Sequence, residues 1–139
     1  MSMPSESDVR VLAITGNPGS AGLLRDLFAR TKWHLSFAGN CTEARLRLAD
    51  EPPAVVLCEA ELSDGCWREV LGYLRSLTHP PQLIVTSNLA DDRLWTEVLT
   101  EGAYDLIPRP FERGELFRVV SLAWRDWWHR RDIGHPARA

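Results

Sequence analysis

A glycine-rich turn follows the first apolar run of the chain, where nucleotide-binding proteins often hold a phosphate. A phosphate loop needs Gly-Lys-Ser/Thr at its end, because the lysine and the hydroxyl serve the phosphate and its magnesium ion. Counted from Gly16, these places are taken by Ala21, Gly22 and Leu23. The spacing of Gly16, Gly19 and Gly22 also differs from the Gly-x-Gly-x-x-Gly of dinucleotide-binding folds. The turn is therefore not predicted to bind a nucleotide.

The elements around this turn alternate between short apolar strands and amphipathic helices. The strands are apolar on both faces, which is typical of a parallel sheet covered by helices on each side. The pattern predicts an α/β fold, a doubly wound five-stranded parallel sheet flanked by five helices. The predicted strands cover residues 9–14, 33–38, 54–58, 82–86 and 104–108, and the last helix covers 112–131.

Composition narrows the class of protein. The 139 residues are 45% hydrophobic and 25% charged, with a net charge of −3, which is typical of a globular domain and gives no case for nucleic acid binding. No apolar run reaches the roughly 18 residues that span a bilayer. Cys41, Cys58 and Cys66 lack metal-ligand spacing, so we expect buried free thiols in the cytoplasm. We expect a disordered lead over 1–8, a domain over 9–131 and a C-terminal tail over 132–139.

Functional groups of open parallel sheets gather where the strands end. The residues directly after the predicted strands therefore form the candidate site. They are Thr15, Gly16, Glu59, Thr86, Ser87, Arg109 and Pro110.

These positions together resemble the receiver domains of bacterial response regulators, over nearly the whole of 9–131. Thr15-Gly16-Asn17-Pro18 stands where the family has Asp-Asp-Asn-Pro, and Glu59 stands at the phosphoacceptor aspartate. Thr86-Ser87 matches the hydroxyl that ends the fourth strand, and Arg109-Pro110-Phe111 matches Lys-Pro-Phe after the fifth. The resemblance implies a flavodoxin-like sheet with strand order 2-1-3-4-5, a signalling role without enzymatic turnover, and a cis peptide bond before Pro110.

The departures from the family pattern concern the phosphate chemistry. The acidic pair that helps to hold magnesium is replaced by Thr15 and Gly16, so we expect no metal and no other cofactor. Glu59 is one methylene longer than the family's aspartate, and positioning is most of phosphoryl transfer. Arg109 replaces the family's lysine, and its planar guanidinium suits a carboxylate. We expect a standing Glu59–Arg109 ion pair that also receives a hydrogen bond from Thr86 or Ser87.

The aromatic residue that accompanies switching in receivers is missing. Its position is taken by Leu106, while Tyr104 lies two residues earlier and is expected on the same strand face. The last helix carries Phe117, Trp124 and Trp128 on a stripe beside its core-facing residues. We interpret that stripe as a protein–protein interface, in a homodimer formed through helix 4, strand 5 and helix 5. The other interpretation is that the stripe only covers the sheet edge.

These observations favour a receiver-like signalling module that acts by binding partners, such as a histidine kinase or an output protein, without phosphorylation. A second hypothesis is that a histidine kinase phosphorylates Glu59, with a rearranged magnesium site that uses Glu61 or Asp64. A third is a small-ligand sensor in the emptied pocket. Glu61 and Asp64 are otherwise interpreted as solvated loop acids. No membrane or nucleic acid is expected among the partners of this chain.

Overall fold

Five parallel strands form the central sheet. The computed structural model describes residues 9–89 and 91–134, with side chains as far as residue 131. The chain runs through β1 (Arg10–Ile14), α1 (Pro18–Phe28), β2 (His34–Ala38), α2 (Cys41–Asp50), β3 (Val55–Glu59), β4 (Glu61–Leu62), β5 (Gly65–Cys66), α3 (Trp67–Arg75), β6 (Gln82–Ser87), α4 (Asp92–Thr100), β7 (Asp105–Pro108) and α5 (Arg113–Gly134). The sheet order is β2-β1-β3-β6-β7, and every neighbouring pair is parallel. The predicted fold class and strand order are confirmed.

Side chains alternate across the sheet and create two cores. On one face, buried residues such as Val56, Cys58 and Val85 pack with α2, α3 and α4. On the other face, residues such as Val55 and Leu57 pack with α1 and α5. The strands are covered on both sides, which is why they read as continuous apolar runs.

Three helices, α1, α2 and α4, begin at side chains that cap their free N–H groups, whereas α3 has no side-chain cap hydrogen bond. Asn17 accepts a hydrogen bond from the amide of Ser20 at 3.1 Å, and Asn40 and Asp91 cap α2 and α4 in the same way, each at 2.9 Å. Gly102 ends α4 with φ +101°, a conformation that favours glycine. These caps place the start of each helix next to the end of the strand before it.

Three details differ from the sequence-based expectation. A two-stranded antiparallel hairpin, β4 with β5, follows β3 and was not predicted. β3 covers Val55–Glu59 rather than 54–58, because Glu59 continues the pairing and lies opposite Thr86. α5 continues to Gly134, into the predicted tail. The predicted lead over 1–8, and residues 135–139 of the predicted tail, lie outside the described residues. Within the described ranges, no helix has the length and apolarity required to cross a membrane.

Candidate functional site

The carboxyl ends of β1, β3 and β7 converge around the side chain of Glu59. Glu59 is the last residue of β3, the middle strand of the sheet, and it is 8% exposed. Its Oε1 accepts a hydrogen bond from the backbone N–H of Gly16 at 2.9 Å. Its Oε2 accepts a hydrogen bond from the guanidinium of Arg109 and forms an ion pair with it. Both carboxylate oxygens therefore have partners within the chain.

Arg109 is held in place by the end of β7. Its backbone N–H donates to the carbonyl of Ser87 at 2.9 Å, and the peptide bond between Arg109 and Pro110 is cis, as the resemblance implies. Its Nη1 also donates to the hydroxyl of Ser20 at 3.1 Å. The side chains of Arg109 and Glu59 are only 17% and 10% exposed, so this ion pair is largely shielded from water. The structure brings together the pair that the sequence predicted.

Contrary to expectation, neither the Thr86 hydroxyl nor the Ser87 hydroxyl donates a hydrogen bond to the Glu59–Arg109 pair. The Ser87 hydroxyl accepts from the amide of Leu89 at 3.0 Å, and Thr86 is buried at 3% exposure as part of β6. The donors to Glu59 are instead the amide of Gly16 and the guanidinium of Arg109. Glu59 lies in register with Thr86, but its two oxygens are directed to the turn after β1 and to the residue after β7.

The glycine-rich turn at the end of β1 therefore holds a carboxylate. The hydroxyl of Thr15 accepts from the amide of Asn17 at 3.0 Å, which fixes the turn that presents the Gly16 N–H. A side chain at Gly16 would start 3.4 Å from the carbonyl oxygen of Gly39, close to the limit of ordinary contact. A backbone N–H pointing at an acid is the arrangement that phosphate loops use, here with a side-chain anion in place of a ligand.

The fold and this edge of the sheet can be compared with known proteins. Response regulator protein PilR of Pseudomonas aeruginosa is 30% identical over 118 residues, which are 84% of this chain and 26% of PilR. A signal receiver domain of an HD domain-containing protein from Pseudomonas fluorescens superposes with a TM-score of 0.84 at 19% identity, over 95% of this chain and 97% of that domain. The chain has the receiver fold of response regulators.

Further comparisons show how much of this chain and of the similar proteins is matched. The beryllofluoride-activated NtrC4 receiver domain dimer matches with a TM-score of 0.78 at 16% identity, over 85% of this chain and 98% of that one. The receiver-like chain spans about a quarter of the length of PilR, the curated relative that it matches. No protein-family profile matches the sequence.

The magnesium ion of the receiver family needs carboxylates that this pocket does not offer. Mg²⁺ prefers octahedral oxygen ligands that include one or two carboxylates. Both oxygens of Glu59 are already bound, and Thr15 and Gly16 supply no acid at the end of β1. Among the side chains of residues 9–89 and 91–131, no three from His, Cys, Asp or Glu are grouped so as to hold a metal ion. The residues present do not fit the ion.

Asp64 is exposed on the loop, as expected, but its carboxylate also binds the start of α2. Its carboxylate accepts from the amides of Cys41 at 2.8 Å and Thr42 at 3.0 Å, and from the Thr42 hydroxyl at 2.9 Å. These hydrogen bonds, with that from the Cys41 amide the largest, lower the pKa of Asp64 from 3.8 to about 2. Glu61 is exposed in the β4–β5 hairpin, as expected. No sequence pattern pairs Asp64 with α2, because 22 to 23 residues separate the partners.

The switch position of this receiver fold holds an aliphatic residue in the core. Leu106 is 8% exposed and packs with α3 and α4. Tyr104 does not share that strand face, contrary to expectation, because β7 begins only at Asp105. Tyr104 instead packs on the α5 side, and its hydroxyl donates to Asp126 at 2.7 Å.

The predicted aromatic stripe of α5 divides into two environments. Phe117 is half-buried between Phe28 and Trp33, with edge-to-face ring distances of 6.1 and 5.6 Å. Packing within the chain therefore accounts for part of the Phe117 ring, and its assignment to an interface stays a prediction. Trp124 and Trp128 are half-buried farther along the helix and line a groove at the opposite edge of the sheet. Their role as an interface remains a prediction.

Proposed function

We propose that this chain is a receiver-like signalling module that acts by binding protein partners, without phosphorylation and without catalytic turnover. The observation that carries this proposal is the occupied carboxylate of Glu59. One oxygen accepts a hydrogen bond from the amide of Gly16 and the other from the guanidinium of Arg109, so both contacts draw electron density from the acid and hold it in an orientation set by the chain. The same contacts make the pocket independent of a metal ion.

The ion pair supports a fixed conformation. A glutamate at this place carries one negative charge, and a phosphorylated aspartate carries nearly two, so the pair imitates an activated site only in part. Arginine stays charged at every physiological pH, and its Nη1 binds one oxygen of the Glu59 carboxylate and the Ser20 hydroxyl. With Leu106 in the core in place of an aromatic residue, we infer that this receiver holds one state and presents one surface to its partners.

The competing function is a phosphoacceptor that a histidine kinase modifies on Glu59. It is favoured by the position of Glu59 at the end of the central sheet strand. It would require Arg109 to release the acid and a metal site to form nearby. Asp64 would have to leave three hydrogen bonds at the start of α2 to serve as a ligand, and this cost counts against it.

Phosphorylation can be tested directly with acetyl phosphate and magnesium chloride. We expect the intact mass of the chain to stay unchanged, and tryptophan fluorescence to stay flat during a magnesium titration. Trp67 at the start of α3 follows the pocket segment and serves as the reporter. A phosphoryl adduct that is present in the native chain and absent in Glu59→Gln would overturn the proposal and establish the competing function.

A homodimer through α4, β7 and α5 is the second part of the proposal. Trp95 and Leu99 of α4 are 49% and 38% exposed, which is unusual for large apolar side chains on a helix. The NtrC4 receiver, which shares the fold, is described as a dimer. Sedimentation equilibrium tests this, with Trp95→Glu expected to weaken association and Leu46→Glu, at a 70% exposed position on α2, expected to leave it unchanged. Equal effects of the two variants would contradict the assignment.

The remaining partners follow from the same proposal. We infer a histidine kinase or an output protein as the binding partner and the cytoplasm as the location, because the relative PilR is a response regulator. The net charge of −3 and the absence of a basic stripe in the sequence argue against nucleic acid. Pull-down from a cytoplasmic extract with the chain as bait, analysed with and without nuclease treatment, tests these assignments.

A further inference from the structure

A cavity of about 570 Å³ lies at the edge of the sheet opposite Glu59. It is bounded by α5, by the segment before β3 that contains Pro52 and Pro53, and by Thr78 before β6. We call it the tryptophan groove, after Trp124, Trp127 and Trp128 in its wall. Sites for small molecules usually measure 300–1,000 Å³ and are mostly apolar with a few polar groups. The tryptophan groove has this size and composition.

The wall of the groove suits a flat, apolar ring. Three indoles from one turn of α5 lie together there with two prolines. Aromatic side chains attract rings through offset and edge-to-face contacts in addition to the area they bury. A planar aromatic group would therefore find more favourable contacts here than a branched aliphatic chain would.

The rim of the groove carries the positive charge of Arg131. The guanidinium of Arg131 lies 5.2 Å from the ring centre of Trp127. Among the described side chains Arg131 forms no ion pair, whereas Arg10 on the same rim is paired with Glu51 at 3.1 Å. An arginine held against an aromatic ring keeps its outer N–H groups free to bind a carboxylate. The charge of the rim thus favours an anion.

A buried donor in the wall of the groove also lacks an acceptor among the described residues. The indole N–H of Trp127 has no hydrogen-bond partner within the described part of the chain. Buried donors without acceptors are costly and rare in native proteins. An occupant that brings acceptor oxygens to this edge would reduce that cost.

We propose that the tryptophan groove binds a planar aromatic carboxylate, with its ring against the tryptophans and its carboxylate facing Arg131. The site is separate from the Glu59 pocket and does not depend on the proposed signalling function. It would make this receiver fold responsive to a small molecule at the edge of the sheet where the strands begin.

The test uses 2-naphthoate as the probe and the six indole N–H signals in ¹H–¹⁵N spectra of the full chain. We expect saturable shifts of the signals from Trp124, Trp127 and Trp128. The signal of Trp95 on α4 serves as the internal control and should not move. The neutral analogue 2-naphthamide should bind about tenfold more weakly, because it lacks the charge that Arg131 recognises.

Matched variants separate charge from folding. Arg131→Gln should reduce the affinity for naphthoate about tenfold and change that for naphthamide less than about twofold. Arg125→Gln, an exposed arginine of α5 outside the groove, should change neither affinity. Trp128→Phe should weaken both ligands. The proposal is overturned by unsaturable or unselective shifts, by shifts that follow protein concentration alone, or by naphthoate binding that is insensitive to Arg131→Gln.

Discussion

Removing one partner of the Glu59–Arg109 pair tests whether it contributes to stability. In Glu59→Gln the shape is kept and the amide oxygen can still accept from Gly16, but the charge of Arg109 loses its counter-ion. Because the Arg109 side chain is only 17% exposed, water replaces that counter-ion poorly. We expect the free energy of unfolding to fall by about 3 kcal/mol, near the lower end of the range for breaking a buried pair.

The double-mutant cycle isolates the interaction itself. Arg109→Gln should cost a similar amount, since it leaves Glu59 with only the Gly16 amide and removes the contact with Ser20. In the double variant both charges are gone, so its cost should be smaller than the sum of the single costs. We expect a coupling energy of about 2 kcal/mol, which is typical of a shielded hydrogen-bonded ion pair.

Urea unfolding followed by tryptophan fluorescence measures these values, provided that the urea dependence has the same slope in all four proteins. The same cycle on Arg10 and Glu51, whose side chains are 52% and 64% exposed, is the control and should give less than about 1 kcal/mol. If the two single costs at Glu59 and Arg109 add within about 0.5 kcal/mol, the pair does not act as a unit. The fixed conformation proposed for this chain would then lose its physical basis.

Other expected outcomes concern the turns, the hairpin and the thiols. Gly102→Ala should lower the free energy of unfolding by about 1–2 kcal/mol, because φ is positive there and a methyl group would overlap Arg75. Gly72→Ala within α3 serves as the comparison, because its methyl group would meet no atom. It should raise the free energy of unfolding by about 0.5–1 kcal/mol in the same urea assay. The native chain should be more stable than Asp64→Asn by a constant amount above about pH 5, where the carboxyl of the unfolded chain is ionised. This difference should shrink as the pH falls toward the folded pKa of Asp64, which is about 2. Thermal unfolding of both proteins from pH 2 to 7 measures it. A thiol reagent should label Cys66 before the two buried cysteines. Burial and the nearby Asp64 raise the pKa of Cys41 to about 11, so little of its reactive thiolate is present at neutral pH. Mass mapping that finds Cys41 labelled first would contradict this expectation.

The sequence predicts the sheet well because its strands are buried on both faces. Residues 54–58 are apolar without interruption, as are the three central residues of 82–86, and both segments are fully buried between the helices that cover the parallel sheet. The Glu59–Arg109 pair could also be predicted, because both residues follow strands at one edge of the sheet and the resemblance to receivers implies that the two positions face each other. Residue type, strand position and the resemblance were sufficient for these features.

The missed features depend on contacts between distant parts of the chain. The hairpin strands β4 and β5 have two residues each, too few to show a pattern. In the sequence, Asp64 has the features of an ordinary turn residue, and only the folded structure shows that it lies beside α2. Phe117 has the spacing of an exposed stripe, but Phe28 and Trp33 from α1 and the start of β2 reach across to cover it. The residue pattern within one element does not show which side chains from other elements will pack against it.

The carboxylate of Glu59 also has a consequence for folding kinetics. Its two partners are 43 and 50 residues away, on strands that do not neighbour each other, and Arg109 reaches a further 89 residues back to Ser20. Closing loops of this length before the sheet exists is entropically unfavourable, so these contacts form late on the folding pathway. Interactions absent from the transition state act mainly on the rate of unfolding. The buried ion pair would then determine how long the native state persists, while the rate at which the chain reaches it depends on the apolar strands.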